Sequence, residues 1–380
     1  MRRILVLSVS AGSGHVRAAQ ALVAAGSEIK DLEIRHVDVL ELVAASFRKL
    51  YGESYLKLVE SHPHLWAWLY DKSDRTPRDA WLSRLRRAIE RLNTRKLHAL
   101  LAEFAPDAVI CTHFLPAELL GREIAQHALN VPVYVQVTDF DLHRLWVQDG
   151  MSGYFVASDE VAFRLRDYRP QQRGIAVTGI PIAPVFATDF DRKQCAAEIG
   201  ADPKLKTVLL MTGGAGIASG GAMVERMLAL DADFQIIALA GRNTSLLAQY
   251  QQLAERYSRR LIPMGFTTTV ERVMACADIA VTKPGGLSTS ECLASRLPMI
   301  LIAPIPGQEE RNASHLVEEG AALLALDAPA LEFRLRRLLA NPALPDKLRE
   351  RCSAIRRPSA ARDVLEIVIE NLRSGSQEAT

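Results

Sequence analysis

Nothing in this sequence pairs cysteine with cysteine. Cys111, Cys195, Cys276, Cys292 and Cys352 are scattered, odd in number and never in a Cys-x-x-Cys arrangement. That argues against a zinc site and a disulfide framework, and for a reducing compartment. An excess of one charge is also missing. With 46 Lys and Arg against 44 Asp and Glu, no global nucleic-acid signature exists and no nucleic-acid partner is expected. No run of ~18 apolar residues is present, so no membrane-spanning helix is expected. The apolar stretch behind Met1-Arg2-Arg3 is too short for a signal-peptide core, and His15 follows closely. The expected location is cytoplasmic. No internal repeat of about 20–50 residues and no low-complexity block is found.

What is present is an ordinary globular composition, 49% apolar and 24% charged over 380 residues, long enough for two domains. Short apolar runs alternate with helical stretches. Residues 4–9, 34–39, 107–111, 131–137 and 154–156 read as strands of a first series. Residues 207–211, 234–239, 260–263, 278–281 and 299–302 read as a second. Continuous apolar strands alternating with helices predict parallel sheets covered on both faces, an α/β class. Between the series, Gly179-Ile180-Pro181-Ile182-Ala183-Pro184 reads as a hinge. The expected domains are residues 1–180 and 181–343. A helical tail over 344–372, interrupted near Pro358, is expected to return to the first domain.

Glycine is concentrated where strands end. The first strand runs into Gly12-Ser13-Gly14-His15, and then a helix begins. Glycines let backbone N–H groups approach a ligand, and a helix start adds partial positive charge. His15 falls in the first helical turn, at the carboxyl edge of the sheet, where open α/β sheets bind ligands. There the helix start disfavours an imidazolium, which suits a general base. A second such turn, Gly213-Gly214-Ala215-Gly216, follows 207–211 and is the candidate diphosphate cradle. A third, Lys283-Pro284-Gly285-Gly286, leads into Ser288 and Glu291. These two residues fit a helix-capping box, or alternatively Glu291 accepts ribose hydroxyls. Gln308 and Glu309 open the next helix, either as a solvated helix start or facing a sugar.

One segment breaks the alternation. Residues 42–100 read as nearly all helix, with Trp66, Trp68 and Tyr70 crowded together. Residues 72–98 then carry nine Lys or Arg, among them Arg86 and Arg87, against three acids. Aromatic and basic residues together suit an anionic membrane surface. A core plus a solvated basic face would read the same way.

Taken in order, these motifs resemble a known family. Gly12 to His15, Val137-Thr138-Asp139-Phe140 with His143 and Trp146, the 213–216 turn, Gly241-Arg242-Asn243, Gly265-Phe266, Lys283 to Gly286 with Glu291, and Gln308-Glu309 with Asn312 occur in sequence. The set is similar to the monogalactosyldiacylglycerol synthases and the bacterial processive diacylglycerol glucosyltransferases, from residue 4 to about 325. The resemblance implies a GT-B fold, two Rossmann-like domains with parallel sheets facing a central cleft. It implies an inverting reaction, with no metal and no cofactor, from a UDP-sugar to a lipid acceptor. His15 would be the base, with Asp139 orienting it or binding acceptor. Gly12, Gly14, Thr138, His143 and Trp146 would lie on the acceptor side. Gly213, Gly214, Gly216, Arg242, Phe266, Lys283, Gly285, Gly286, Ser288, Glu291, Gln308, Glu309 and Asn312 would hold the donor. Phe266 would set its backbone against uracil. Trp66, Trp68, Arg86 and Arg87 would touch the inner face of the cell membrane.

The pattern departs from the family at two places. Ser10 stands where plant members carry Asp, and Ser13 replaces the middle glycine of their Gly-Gly-Gly-His loop. Other readings on the same plan are transfer to a polyprenyl-linked peptidoglycan precursor, UDP-N-acetylglucosamine epimerisation, and a non-catalytic nucleotide-sugar regulator. A dehydrogenase is the weakest, because neither Gly-x-Gly-x-x-Gly spacing nor a ribose acid is placed.

Overall fold

The computed structural model describes residues 1–10, 12–42, 94–211 and 220–378. The chain forms two compact units. One comprises Met1–Pro184, Ile305–Gln308 and Ser359–Thr380, and the other Val185–Pro304 and Glu309–Pro358.

The first unit contains β1 (Arg2–Ser8), α1 (Ser13–Gly26), β2 (Leu32–Asp38), α2 (Thr94–Phe104), β3 (Ala108–Cys111), α3 (Phe114–Ala125), β4 (Val133–Gln136), β5 (Gly153–Val156), α4 (Asp159–Tyr168) and β6 (Ile175–Val177). Its six strands pair in the order β2-β1-β3-β4-β5-β6, all parallel. The apolar run of β1 serves two cores. Leu5 and Leu7 point into one cluster and Ile4 and Val6 into the other, as strand alternation requires.

The second unit contains α5 (Arg192–Ile199), β7 (Lys206–Met211), α6 (Gly220–Leu228), β8 (Phe234–Leu239), α7 (Thr244–Arg256), β9 (Leu261–Met264), α8 (Val270–Cys276), β10 (Ile279–Thr282), α9 (Gly286–Ala294) and β11 (Met299–Ile302). It continues with α10 (Gln308–Glu318), whose first residue groups with the first unit, then β12 (Ala322–Ala325), α11 (Ala328–Ala340) and α12 (Ala343–Ile355). The strand order is β12-β11-β10-β7-β8-β9. Both sheets are doubly wound. The chain direction reverses between β1 and β3 in one and between β7 and β10 in the other, the switch points where such sheets open a ligand crevice.

Two strands lie outside the sequence expectation, β6 and β12. Each is an edge strand, partly buried, with a sequence (Ile175-Ala176-Val177, Ala322-Leu323-Leu324-Ala325) that carries no strand periodicity of its own. The tail divides around Pro358. α12 lies in the second unit, while a last helix, α13 (Ala360–Glu378), groups with the first. Ala361, Val364, Leu365, Val368 and Ile369 form one helical stripe and join the cluster of Ile4, Val6, Ala19 and Leu22. Leu365→Ala should therefore cost about 2–5 kcal/mol of stability in urea unfolding. Arg362→Ala, on the exposed side of the same helix, should cost about 0.5 kcal/mol or less.

Candidate active site

In the first unit the polar groups gather where β1, β3 and β4 end, around the switch point. Gly12 takes φ +100°, a conformation that favours glycine, and so starts α1 sharply. His15 then lies in the first turn with its ring half-buried. Its Nδ1 is 3.0 Å from the Thr112 carbonyl oxygen behind β3 and 2.9 Å from Thr138 Oγ1 behind β4. A carbonyl oxygen only accepts, so Nδ1 carries the proton and Nε2 keeps the lone pair. The Thr112 hydroxyl donates back to the His15 carbonyl oxygen at 2.9 Å. Burial pushes the imidazole down to about 4, against the opposing pull of the Thr112 carbonyl. Loss of hydration thus keeps this ring neutral, rather than the helix start named by the sequence argument.

Neighbouring residues divide into contacts and supports. Trp146 is 3% exposed, its ring 6.0 Å from that of His15. His143 is buried and accepts the Leu145 N–H at Nδ1, capping the 144–146 turn. Both were expected to meet the acceptor. Instead one backs the His15 ring and the other holds the turn that carries it. Asp139 is buried and accepts from Gln308 Nε2 at 2.6 Å. The oxygens that orient the His15 ring come from Thr112 and Thr138.

The sequence argument overlooked His113. Its ring lies 4.5 Å from that of His15 in an edge arrangement, and it caps α3 by accepting the Leu115 N–H at Nδ1. The available signal was positional, since Thr112-His113 follows β3 much as Gly14-His15 follows β1. A carboxylate also lies beside Ser10. Asp38, at the end of β2, accepts from the Ser10 and Leu40 N–H groups.

In the second unit, the candidate diphosphate turn with Gly213, Gly214 and Gly216 lies outside the described residues. It joins β7 to α6, next to the 283–286 turn that follows β10 in the sheet. Here the structure corrects one expectation. α9 starts at Gly286 with Gly285 as N-cap, and Ser288 sits inside its first turn, not at the cap. The conformational freedom of two glycines starts the helix earlier than the Ser-x-x-Glu pattern suggested. Thr289 and Ser290 bond back to the carbonyls of Gly285 and Gly286. Glu291 is 2% exposed in the next turn.

Asn312, fully buried, donates from Nδ2 to the Pro284 carbonyl oxygen at 3.1 Å, so it holds this turn from α10. Lys283 is half-buried. A Cβ on Gly285 would stand 3.8 Å from Glu309 Oε1. Lys283, Gly285, Gly286, Glu309 and Asn312 are thereby brought together. Behind β8 and β9, the Arg242 guanidinium lies 4.8 Å over the ring of Phe266, which is 61% exposed. Trp66, Trp68, Arg86 and Arg87 lie outside the described residues. Among the described residues, no helix is long and apolar enough to cross a membrane and no group of three His, Cys, Asp or Glu is arranged to hold a metal ion.

Comparison with known proteins agrees with this arrangement. Residues 15–182 match the family model of monogalactosyldiacylglycerol (MGDG) synthase, and residues 208–364 match that of the glycosyltransferase family 28 C-terminal domain. A processive diacylglycerol beta-glucosyltransferase of Bacillus pumilus (strain SAFR-032) is 25% identical over 372 residues, covering 97% of this chain and 95% of the relative. A crystal structure of Acinetobacter baumannii MurG superposes over 97% of this chain and 100% of that one, with TM-score 0.63 and 14% identity. UDP-GlcNAc 2-epimerase from Neisseria meningitidis bound to UDP-GlcNAc gives TM-score 0.62 and 14% identity, over 97% and 100% of the two chains. These structural likenesses establish the fold, GT-B, and no more.

His15, His36 and His113 are all held below the ordinary imidazole range, chiefly by burial. In the unfolded chain each takes up a proton near pH 6.5. The unfolded state then binds more protons, so stability is full above that pH and falls as pH drops toward 4. Urea unfolding at pH 7.5, 6 and 5 should show this decline, and His15→Gln should flatten it. An unchanged slope in the variant would show that His15 titrates normally.

Proposed function

We propose that this chain, which joins a monogalactosyldiacylglycerol synthase domain at 15–182 to a glycosyltransferase family 28 C-terminal domain at 208–364, is an inverting, metal-independent glycosyltransferase. It moves a hexose from a UDP-sugar to the hydroxyl of a membrane lipid, diacylglycerol. One observation carries the reading: the His15 ring is neutral, with Nδ1–H engaged by the Thr112 carbonyl oxygen and Nε2 left to accept.

In the proposed step the acceptor hydroxyl attacks the anomeric carbon from the face opposite the diphosphate. The new carbon–oxygen bond forms as the bond to the diphosphate breaks, and UDP leaves with the electron pair. The hydroxyl proton passes to His15 Nε2. Once protonated, the ring has two donors, and Nδ1–H remains bonded to Thr112, so the hydrogen bond that sets the tautomer also steadies the imidazolium. General-base help of this kind is worth ~10²–10⁴ in rate.

On the donor side the 213–216 turn and the following helix start are assigned the leaving diphosphate, its charge met by backbone N–H groups. Metal independence is supported by the lack of a cation-binding cluster among the described residues. Glu291, Gln308 and Glu309 are assigned ribose and sugar hydroxyls, and Phe266 the base. The enzyme is read as cytoplasmic and peripheral on the inner face of the membrane, with Trp66, Trp68, Arg86 and Arg87 as its contact.

UDP release measured for several UDP-sugars crossed with diacylglycerol and a polyprenyl lipid tests the reading. Release is expected with diacylglycerol. Release with none would shift the function to a nucleotide-sugar-binding regulator. His15→Ala should lower kcat by about 10²–10⁴ with UDP binding unchanged, and near-normal turnover would refute the base assignment.

A further inference from the structure

The two imidazoles at the switch point of the first sheet are held in opposite tautomers. His15 donates from Nδ1 to Thr112 and so presents a lone pair at Nε2. His113 accepts the Leu115 N–H at Nδ1, at 3.0 Å, so in the neutral ring its proton is on Nε2. Among the described residues neither Nε2 has a protein partner. Nor is either among the sealed polar atoms left unsatisfied, which are Glu118 Oε2, Gln136 Oε1 and Tyr250 OH. Each Nε2 therefore retains an opening to solvent although His113 is only 3% exposed. The ring centroids are 4.5 Å apart. A fixed acceptor and a fixed donor thus stand side by side.

We infer that His113 is a specificity-determining acceptor-binding residue: its Nε2–H donates to an oxygen on the carbon next to the one bearing the attacking hydroxyl, while His15 Nε2 takes the hydroxyl proton. This rests on the reading of His15 as the base. The pair selects a primary alcohol flanked by a second oxygen, as in a 1,2-diacylglycerol, whose hydroxyl-bearing carbon adjoins the carbon of an ester. It disfavours a plain fatty alcohol, which leaves the buried donor unmet. The rings cannot exchange roles. The only lone pair of neutral His113 is spent on Leu115, and burial, together with the neighbouring His15, opposes a second proton on that ring.

Two substitutions separate donor from cap. His113→Asn retains an acceptor at the Nδ1 position for the Leu115 N–H, since Asn is a favoured helix cap, but has no donor at the Nε2 position. His113→Gln places an amide N–H near the Nε2 position and gives up the cap. The readout is the ratio of kcat/KM for dioctanoylglycerol to that for a fatty alcohol of matched length, with UDP affinity measured alongside.

Wild type should favour the diacylglycerol by about 5–100-fold, the effect of leaving a buried donor unpaired. His113→Asn should bring the ratio close to one, and His113→Gln should keep most of the preference. UDP affinity should not move in either. An unchanged ratio in His113→Asn, or equal loss in both variants, would make His113 a packing residue and overturn the proposal while leaving the His15 assignment intact. If wild type transfers to neither alcohol, both readings fall.

Discussion

The hydrogen bond from His15 Nδ1 to the Thr112 carbonyl oxygen is the contact on which the chemistry of the first unit depends. It joins the helix after β1 to the turn after β3, across the point where the winding of the sheet reverses. The bond fixes the ring's tautomer, and burial keeps the ring neutral. A free imidazole near neutral pH would sample both tautomers and bind protons for part of the time. Here both ambiguities are removed before any substrate arrives. The cost appears as acid sensitivity, because the unfolded chain can protonate rings that the folded one holds neutral.

The second unit uses the same topology with different chemistry. Its switch point falls between β7 and β10, and the turns there are built from glycine rather than histidine. Glycine exposes backbone N–H groups, which suits an anion. The turn after β10 is supported from behind, with Asn312 on the Pro284 carbonyl and Thr289 and Ser290 on the carbonyls of Gly285 and Gly286. Two copies of one plan thus differ in what occupies the strand ends, a proton acceptor in one and phosphate-sized turns in the other.

Much of this was legible because a strand buried on both faces reads as a continuous apolar run. Ten of the twelve described strands announced themselves that way, and the turns behind them carried glycine and histidine at visible spacing. The edge strands β6 and β12 did not, since a strand with one neighbour needs less apolar surface. Ser288 misled because a capping pattern shows what a helix start could use, whereas Gly285 and Gly286 begin the helix a turn earlier. Trp146 and His143 were visible as motif members, but a motif does not tell a substrate contact from its support. Only burial made that distinction. His113 was hidden because its partner His15 is 98 positions away, and only the adjacency of β1 and β3 brings the two rings together.

The departure at Ser10 has a physical reading in the same terms. Plant members place an acid in the loop itself. Here the nearest carboxylate comes from the adjoining strand, since the register of β1 with β2 sets Ser8 opposite Asp38. Asp38 Oδ1 lies 3.3 Å from the Ser10 nitrogen and 3.0 Å from the Leu40 nitrogen, and His36 Nε2 lies 2.7 Å from Ser8 Oγ. An oxygen already accepting two backbone N–H groups is poorly placed to take a proton from a substrate. It is well placed to pin the end of β1 where the chain turns toward Gly12. The acid on this side therefore anchors the turn. The work of accepting the proton is left to His15, whose Nε2 is the basic atom this unit leaves open.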